Sequence, residues 1–112
     1  MQDGSTVYEG RIEVRKNGGS WGIVCDDHFD INDGNVFCKM LGYTKGAEDY
    51  YSGSYFGHGN LDFHLDEMQC IGAEESFLDC PANSWNNHNC NSGKAAGVKC
   101  YPNPSKYTQS LL

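Results

Sequence analysis

Cys25-Asp26-Asp27-His28-Phe29-Asp30 places three carboxylates within five residues of a cysteine, in a chain whose formal charge is already -7. Adjacent Asp26 and Asp27 repel each other unless water screens them or a cation sits between them. Two chemistries compete for this stretch. One is a solvated turn, in which Asp30 bonds nearby backbone. The other is a set of hard oxygen ligands for calcium or magnesium. Opposite charge is scarce, and the only compact basic group is Arg11, Arg15 and Lys16. The histidines His28, His58, His64 and His88 fit no zinc spacing. No Ser/His/Asp arrangement has the context of an activated nucleophile, so a binding module is expected rather than an enzyme.

These residues need a scaffold, and 112 residues suffice for one domain with a modest core. Fourteen glycines, with 38% hydrophobic and 21% charged residues, describe a turn-rich globular chain. The six cysteines include no CxxC pair and no tight Cys/His cluster. They read as a disulfide framework, which implies an oxidising compartment, although spacing alone leaves fifteen pairings open. No stretch approaches the roughly 20 apolar residues of a membrane span. MQDGSTVYEG lacks an apolar signal core, so Met1 reads as an introduced start and the chain as a piece of something larger. Excess acid argues against nucleic acid and favours cations or basic partners. No Asn-x-Ser/Thr acceptor occurs, so no N-glycan is expected.

Arg11-Ile-Glu-Val-Arg15 alternates, with Ile12 and Val14 on one face and Arg11, Glu13 and Arg15 on the other. This predicts a half-buried strand that displays both arginines. Asn17-Gly18-Gly19 supplies turn residues, and Trp21 to Cys25 completes a β-hairpin. From Ile31 the period becomes helical: Asn32 or Asp33 can cap, Val36, Phe37, Met40 and Leu41 recur, and Gly42 stops the pattern. Ile31 is placed to staple onto Val36, and Gly34 weakens the helix by about 1 kcal/mol relative to Ala. Residues 43 to 60 read as loops with a short strand near Tyr55-Phe56, and Tyr50, Tyr51 and Tyr55 suit an interface. Leu61 to Cys70 opens with strand alternation, Ala96 to Tyr101 reads as the last strand, and the proline-containing end reads as a tail.

EGRIEV, WGIVCDDHFDINDGNVFCKMLGY, FGHGN, LDEMQCIGAEESFLDC and HNC followed by AGVKC resemble, in order and spacing, the scavenger receptor cysteine-rich domain. The resemblance spans residues 7 to 101, leaving 1 to 6 as an extension and 102 to 112 as a tail or linker. Tyr43 stands after Leu41-Gly42 where some members have cysteine, and no cysteine precedes Arg11, which marks the six-cysteine group A type found in macrophage scavenger receptors. The resemblance implies an α+β fold, a curved antiparallel sheet cradling one helix. It also implies the pairs Cys25-Cys90, Cys38-Cys100 and Cys70-Cys80. In the chain-entropy picture the two long loops contribute about 4 kcal/mol each and the short one about 3.

For the acidic stretch, the family pattern implies a cation site made by Asp27, Asp66 and Asn89, with Asp26 nearby. Hard oxygen donors from separate loops favour calcium over magnesium, at modest affinity. A further family site uses both Asp residues of "CDD" and an acid where this chain has Gly93, Lys94 and Ala95, which weakens it. The implied function is an extracellular ligand-binding module of a scavenger or pattern-recognition receptor, secreted or in a receptor ectodomain. It would take polyanionic or microbial ligands through the cation and through Arg11, Arg15 and Lys16. The alternative is a cation-independent docking module for a protein ligand. Neither reading has the domain insert into a membrane, and oligomerisation would come through the parent protein.

Overall fold

The chain leaves its first sheet at Ile12. In the computed structural model, which describes residues 1–103, β1 (Gln2–Asp3) and β2 (Glu9–Arg11) are followed directly by β3 (Glu13–Val14) in a different sheet. Between them Ile12 donates its N–H to Ala96 O at 3.2 Å. The segment Arg11 to Arg15 is therefore not one strand. Ile12 and Val14 are buried as the alternation requires, but Arg11 ends β2 and is buried too, 5% exposed.

The larger sheet has the order β1-β2-β7-β5, with β5 at Ala47–Tyr51 and β7 at Gly97–Cys100, and all its pairs are antiparallel. The smaller sheet has the order β3-β4-β6, with β4 at Gly22–Val24 and β6 at Phe63–Leu65. The expected hairpin joins β3 and β4, closed by Gly19 N–H to Lys16 O at 2.7 Å. By contrast β4 and β6 run parallel, Ile23 beside Phe63 and Val24 beside Leu65. The strand expected near Tyr55-Phe56 is absent among the described residues and falls earlier, in β5. Tyr51, Tyr55 and Phe56 instead form a ring cluster with centroids 4.6 to 5.1 Å apart.

Helix α1 (Ile31–Met40) packs on β5 and β7. Its N-cap is Asp30, whose carboxylate accepts from Asn32 N and Asp33 N, while Asp33 Oδ2 accepts from Asp30 N. The cap lies earlier than Asn32 or Asp33, and Ile31, being the first helical residue, cannot staple from outside the cap. Asp33 is used differently, its Oδ1 accepting from Cys70 N at 2.7 Å. Gly34 has a packing reason: a Cβ there would lie 3.0 Å from Val98 Cγ2 and 3.2 Å from Ala47 Cβ. The helix thus lies so close to the sheet that Ala here would push Val98 and Ala47 back by a few tenths of an ångström, which offsets the propensity cost of Gly.

Val36, Phe37, Ala47, Met68, Phe77, Ala96 and Val98 form one core with both sulfurs of Cys38–Cys100, the disulfide that fastens α1 to β7. Cys70–Cys80 closes the loop holding Phe77, and Cys25–Cys90 ties the end of β4 to the segment 81–90. The tail expected at 104 to 112 lies outside the described residues.

Candidate functional site

Parallel pairing of β4 and β6 has a direct consequence for the acidic residues. Parallel strands end on the same side, so the chain that follows each emerges side by side. Cys25-Asp26-Asp27 follows β4 and Asp66 follows β6, with Cys25 N–H bonded to Leu65 O at 2.8 Å. The Cys25–Cys90 bridge, Cα to Cα 6.3 Å, then brings Asn89 to the same place.

One end of the Asn89 side-chain amide lies 3.2 Å from Asp27 Oδ2 and 3.3 Å from Asp66 Oδ2. With the NH2 group at that end, Asn89 donates to both carboxylates. With its carbonyl there, three oxygens converge, an arrangement that a cation would stabilise. Asp66 is 1% exposed and its Oδ1 has no hydrogen-bond partner. Burial, and after it the charge of Asp27, push the Asp66 carboxyl above the ordinary carboxylate range. Two carboxylates and an amide carbonyl are hard donors that fit calcium or magnesium, and an orphaned buried carboxylate oxygen is the kind of atom an ion satisfies.

The three acids of the opening stretch have three different positions. Asp27 joins Asp66 in the cluster. Asp26 stands outside it, its Oδ2 accepting from Gly53 N at 2.7 Å and holding the loop after β5. Asp30 caps the helix. Lys94 supplies a resident positive charge, its Nζ 3.2 Å from Asp27 Oδ1. Asp27 thus presents one oxygen to an ammonium and the other to Asn89.

The basic group does not assemble as the alternation predicts. Arg11 bonds Asp3 Oδ2 and Glu13 Oε2, each at 2.8 Å, and Phe56 O at 3.0 Å, so its guanidinium is occupied beneath the surface. A strand that changes sheets at Ile12 cannot keep Arg11 and Arg15 on one face. Arg15 and Lys16 are exposed, Arg15 lying 4.5 Å over the Trp21 ring and Lys16 Nζ 4.6 Å over the Trp85 ring. Trp85 was not foreseen beside Lys16, because nothing local marks a partner so distant in the chain. Tyr50 and Tyr55 are exposed, while Tyr51 is partly covered by Tyr55 and Phe56.

The scavenger receptor cysteine-rich domain family matches residues 2–101. The chain belongs to this family. It is 45% identical over 91 residues to the macrophage receptor MARCO of Mesocricetus auratus and 47% identical over 91 residues to that of Mus musculus, covering 81% of this chain in both cases. The matched segment spans only 18% and 17% of those two receptors. Among solved structures, the dimeric form of the mouse MARCO domain superposes with a TM-score of 0.74 at 45% identity, covering 83% of this chain and 86% of that one. The third such domain of murine neurotrypsin gives 0.77 at 38% identity, covering 90% and 94%. The α+β fold and the three disulfides are those the family resemblance implied. Three bridges fit an oxidising compartment, and no helix among the described residues is long and apolar enough to cross a membrane.

Proposed function

We propose that this domain is an extracellular ligand-binding module of a scavenger or pattern-recognition receptor. It takes anionic groups of polyanionic or microbial ligands through a divalent cation held by Asp27, Asp66 and Asn89. The observation that carries the reading is the buried Asp66 carboxylate, its Oδ1 unpartnered and its Oδ2 3.3 Å from the Asn89 amide, clustered with Asp27. Calcium is favoured over magnesium, because three donors from separate loops make an irregular site and calcium tolerates irregular coordination. The bound cation supplies open coordination positions for anionic oxygens. Asp27 and Asp66 carry its counter-charge, Lys94 orients Asp27, and the Cys25–Cys90 bridge keeps Asn89 in place. Likeness to macrophage receptors supports the receptor setting.

The test is ligand capture on an acidic polysaccharide and on whole bacteria, in calcium and in chelator. The reading expects capture in calcium and its loss in chelator, restored by added calcium. A second reading rests on the other orientation of Asn89, whose NH2 group can satisfy both carboxylates without an ion. The domain would then be a cation-independent docking module for a protein ligand, and capture of bacteria unchanged by chelator, with no capture of the polysaccharide, selects it.

A further inference from the structure

An asparagine or aspartate followed by glycine is a place where a chain can attack itself. Glycine has no side chain to shield its nitrogen, which therefore reaches the carbonyl carbon of the preceding side chain without obstruction. This sequence holds three such pairs, Asp3-Gly4, Asn17-Gly18 and Asp33-Gly34. Two are restrained. Asp3 is bonded to Arg11 at 2.8 Å, and a Cβ at Gly4 would collide with Glu9 O, so the chain there has little room to swing. Asp33 is buried, its oxygens accept from Asp30 N and Cys70 N, and the Gly34 nitrogen donates to Asp30 O at the start of α1. An ionised carboxylate is in any case a weaker electrophile than an amide.

Asn17-Gly18 escapes each restraint. Both residues are exposed in the turn between β3 and β4, and nothing lies within 4 Å of a Cβ built on Gly18. Among the described residues neither the Gly18 N–H nor the Asn17 side-chain amide has a hydrogen-bond partner, whereas Asn35 and Asn91 are held by Ala47 N and Gly93 N. Both turn residues have positive φ, 47° and 76°, and Gly19 N–H closes the turn on Lys16 O at 2.7 Å, the type I′ geometry that Asn-Gly favours. Gly19 makes that bond, so the Gly18 nitrogen stays unengaged. Arg15 and Lys16 precede the pair, and no carboxylate among the described residues lies within 4.0 Å of either.

We infer that Asn17 is a self-modification site, at which the folded domain converts a neutral turn residue into an acidic one. The Gly18 nitrogen gives its proton to solvent and bonds Asn17 Cγ, the Cγ–Nδ2 bond breaks, and Nδ2 takes a proton from water and leaves as ammonia. The cyclic imide then takes up one water. Opening at the side-chain carbonyl leaves aspartate, and opening at the backbone carbonyl leaves isoaspartate, in which the chain runs through Cβ. No oxidant, enzyme or cofactor enters. Asp-Gly suits the same turn. Isoaspartate instead adds a carbon to the ring closed by Lys16 O and Gly19 N–H, so the turn opens and draws Lys16 off the Trp85 ring. Either product sets a carboxylate beside Arg15 and Lys16. The hairpin thus carries a chemical clock that acts on the basic region and is independent of Asp27, Asp66 and Asn89.

The experiment ages the folded, disulfide-bonded domain at neutral and at mildly acidic pH and maps it by peptide mass spectrometry, with isoaspartate scored separately from aspartate. Asn17 should convert at least about tenfold faster than any other asparagine, a barrier difference of about 1.4 kcal/mol. Isoaspartate should be among its products, and the rate should rise with pH, because the deprotonated Gly18 nitrogen is the attacking form. Asn17→Asp, made directly, should keep the Trp85 indole resonance of the starting domain, while the isolated isoaspartyl form should shift it. An Asn17 that survives in the folded domain but converts in the reduced, unfolded chain would overturn the proposal, since the turn would then protect the residue. Equally fast conversion of another asparagine overturns it as well. Identical indole resonances in the isoaspartyl form and the starting domain would refute the opening of the turn.

Discussion

The segment 81–90 contributes to two regions of opposite character. Its Asn89 end joins Asp27 and Asp66, and its Trp85 backs Lys16. The acidic region is held by a covalent bridge and by the parallel register of β4 and β6. The basic region is held by ring contacts between exposed or half-exposed side chains. Charge is therefore organised in two ways on one small domain. Where like charges must be forced together the chain uses backbone and disulfide, and where cations stand alone side-chain stacking suffices.

Breaking the covalent half of this comparison should have the largest effect. Replacing Cys25 and Cys90 together with Ser should lower unfolding free energy by about 2 to 5 kcal/mol in denaturant titration. It should also abolish calcium binding while Lys16 keeps its Trp85 contact, seen in the indole resonance. Loss of both regions together would show that the bridge supports the whole segment rather than the acidic end. Next in size is Arg11→Met, which leaves Glu13 without its partner. It should cost about 2 kcal/mol, below the range for fully buried pairs because Asp3 is exposed. Anion affinity of the folded protein should not change, and a loss there would return Arg11 to the ligand surface.

Lys94→Gln sharpens the electrostatic account of the acidic region. Removing the ammonium from Asp27 should raise calcium affinity about fivefold, an effect of about 1 kcal/mol expected for a like charge at the edge of a solvated site. Unchanged or lower affinity would mean that Lys94 matters only for orienting Asp27. A pH-dependent effect belongs to neither region. Burial raises the Asp33 carboxyl to about 6, against about 3.9 when unfolded. The folded state therefore holds more protons between those values, and stability from this group, complete below about pH 4, is lost as pH rises toward 6. Asp33→Asn should flatten that slope in urea titrations, and an unaltered slope would assign it to another group.

How much of this was legible follows from the kind of signal each residue gives. Val36, Phe37 and Cys38 were readable as one helix face because an apolar period of 3.6 survives into any fold. The cap was misplaced because Asp30, Asn32 and Asp33 are all cap-forming types, and only backbone geometry distinguishes them. Ile12 and Val14 were correctly buried, yet Arg11 was wrongly exposed. Alternation assumes one strand with two faces, and the chain changes sheets at Ile12. Asp27, Asp66 and Asn89 met through the family pattern rather than through periodicity, since neither the parallel β4/β6 pair nor the Cys25–Cys90 bridge leaves a local trace. Lys16 on Trp85 left no trace at all.

The account stands most directly on the state of Asp66. Calcium titrated calorimetrically into the wild-type domain and into Asp66→Asn, both confirmed folded by circular dichroism, measures it. The account predicts a dissociation constant on the order of 10⁻⁴ to 10⁻³ M for the wild type, in the range of extracellular calcium modules, and no measurable binding for the variant. No calcium heat in the wild type, or equal binding in Asp66→Asn, would contradict it and leave Asp27, Asp66 and Asn89 as a hydrogen-bonded cluster.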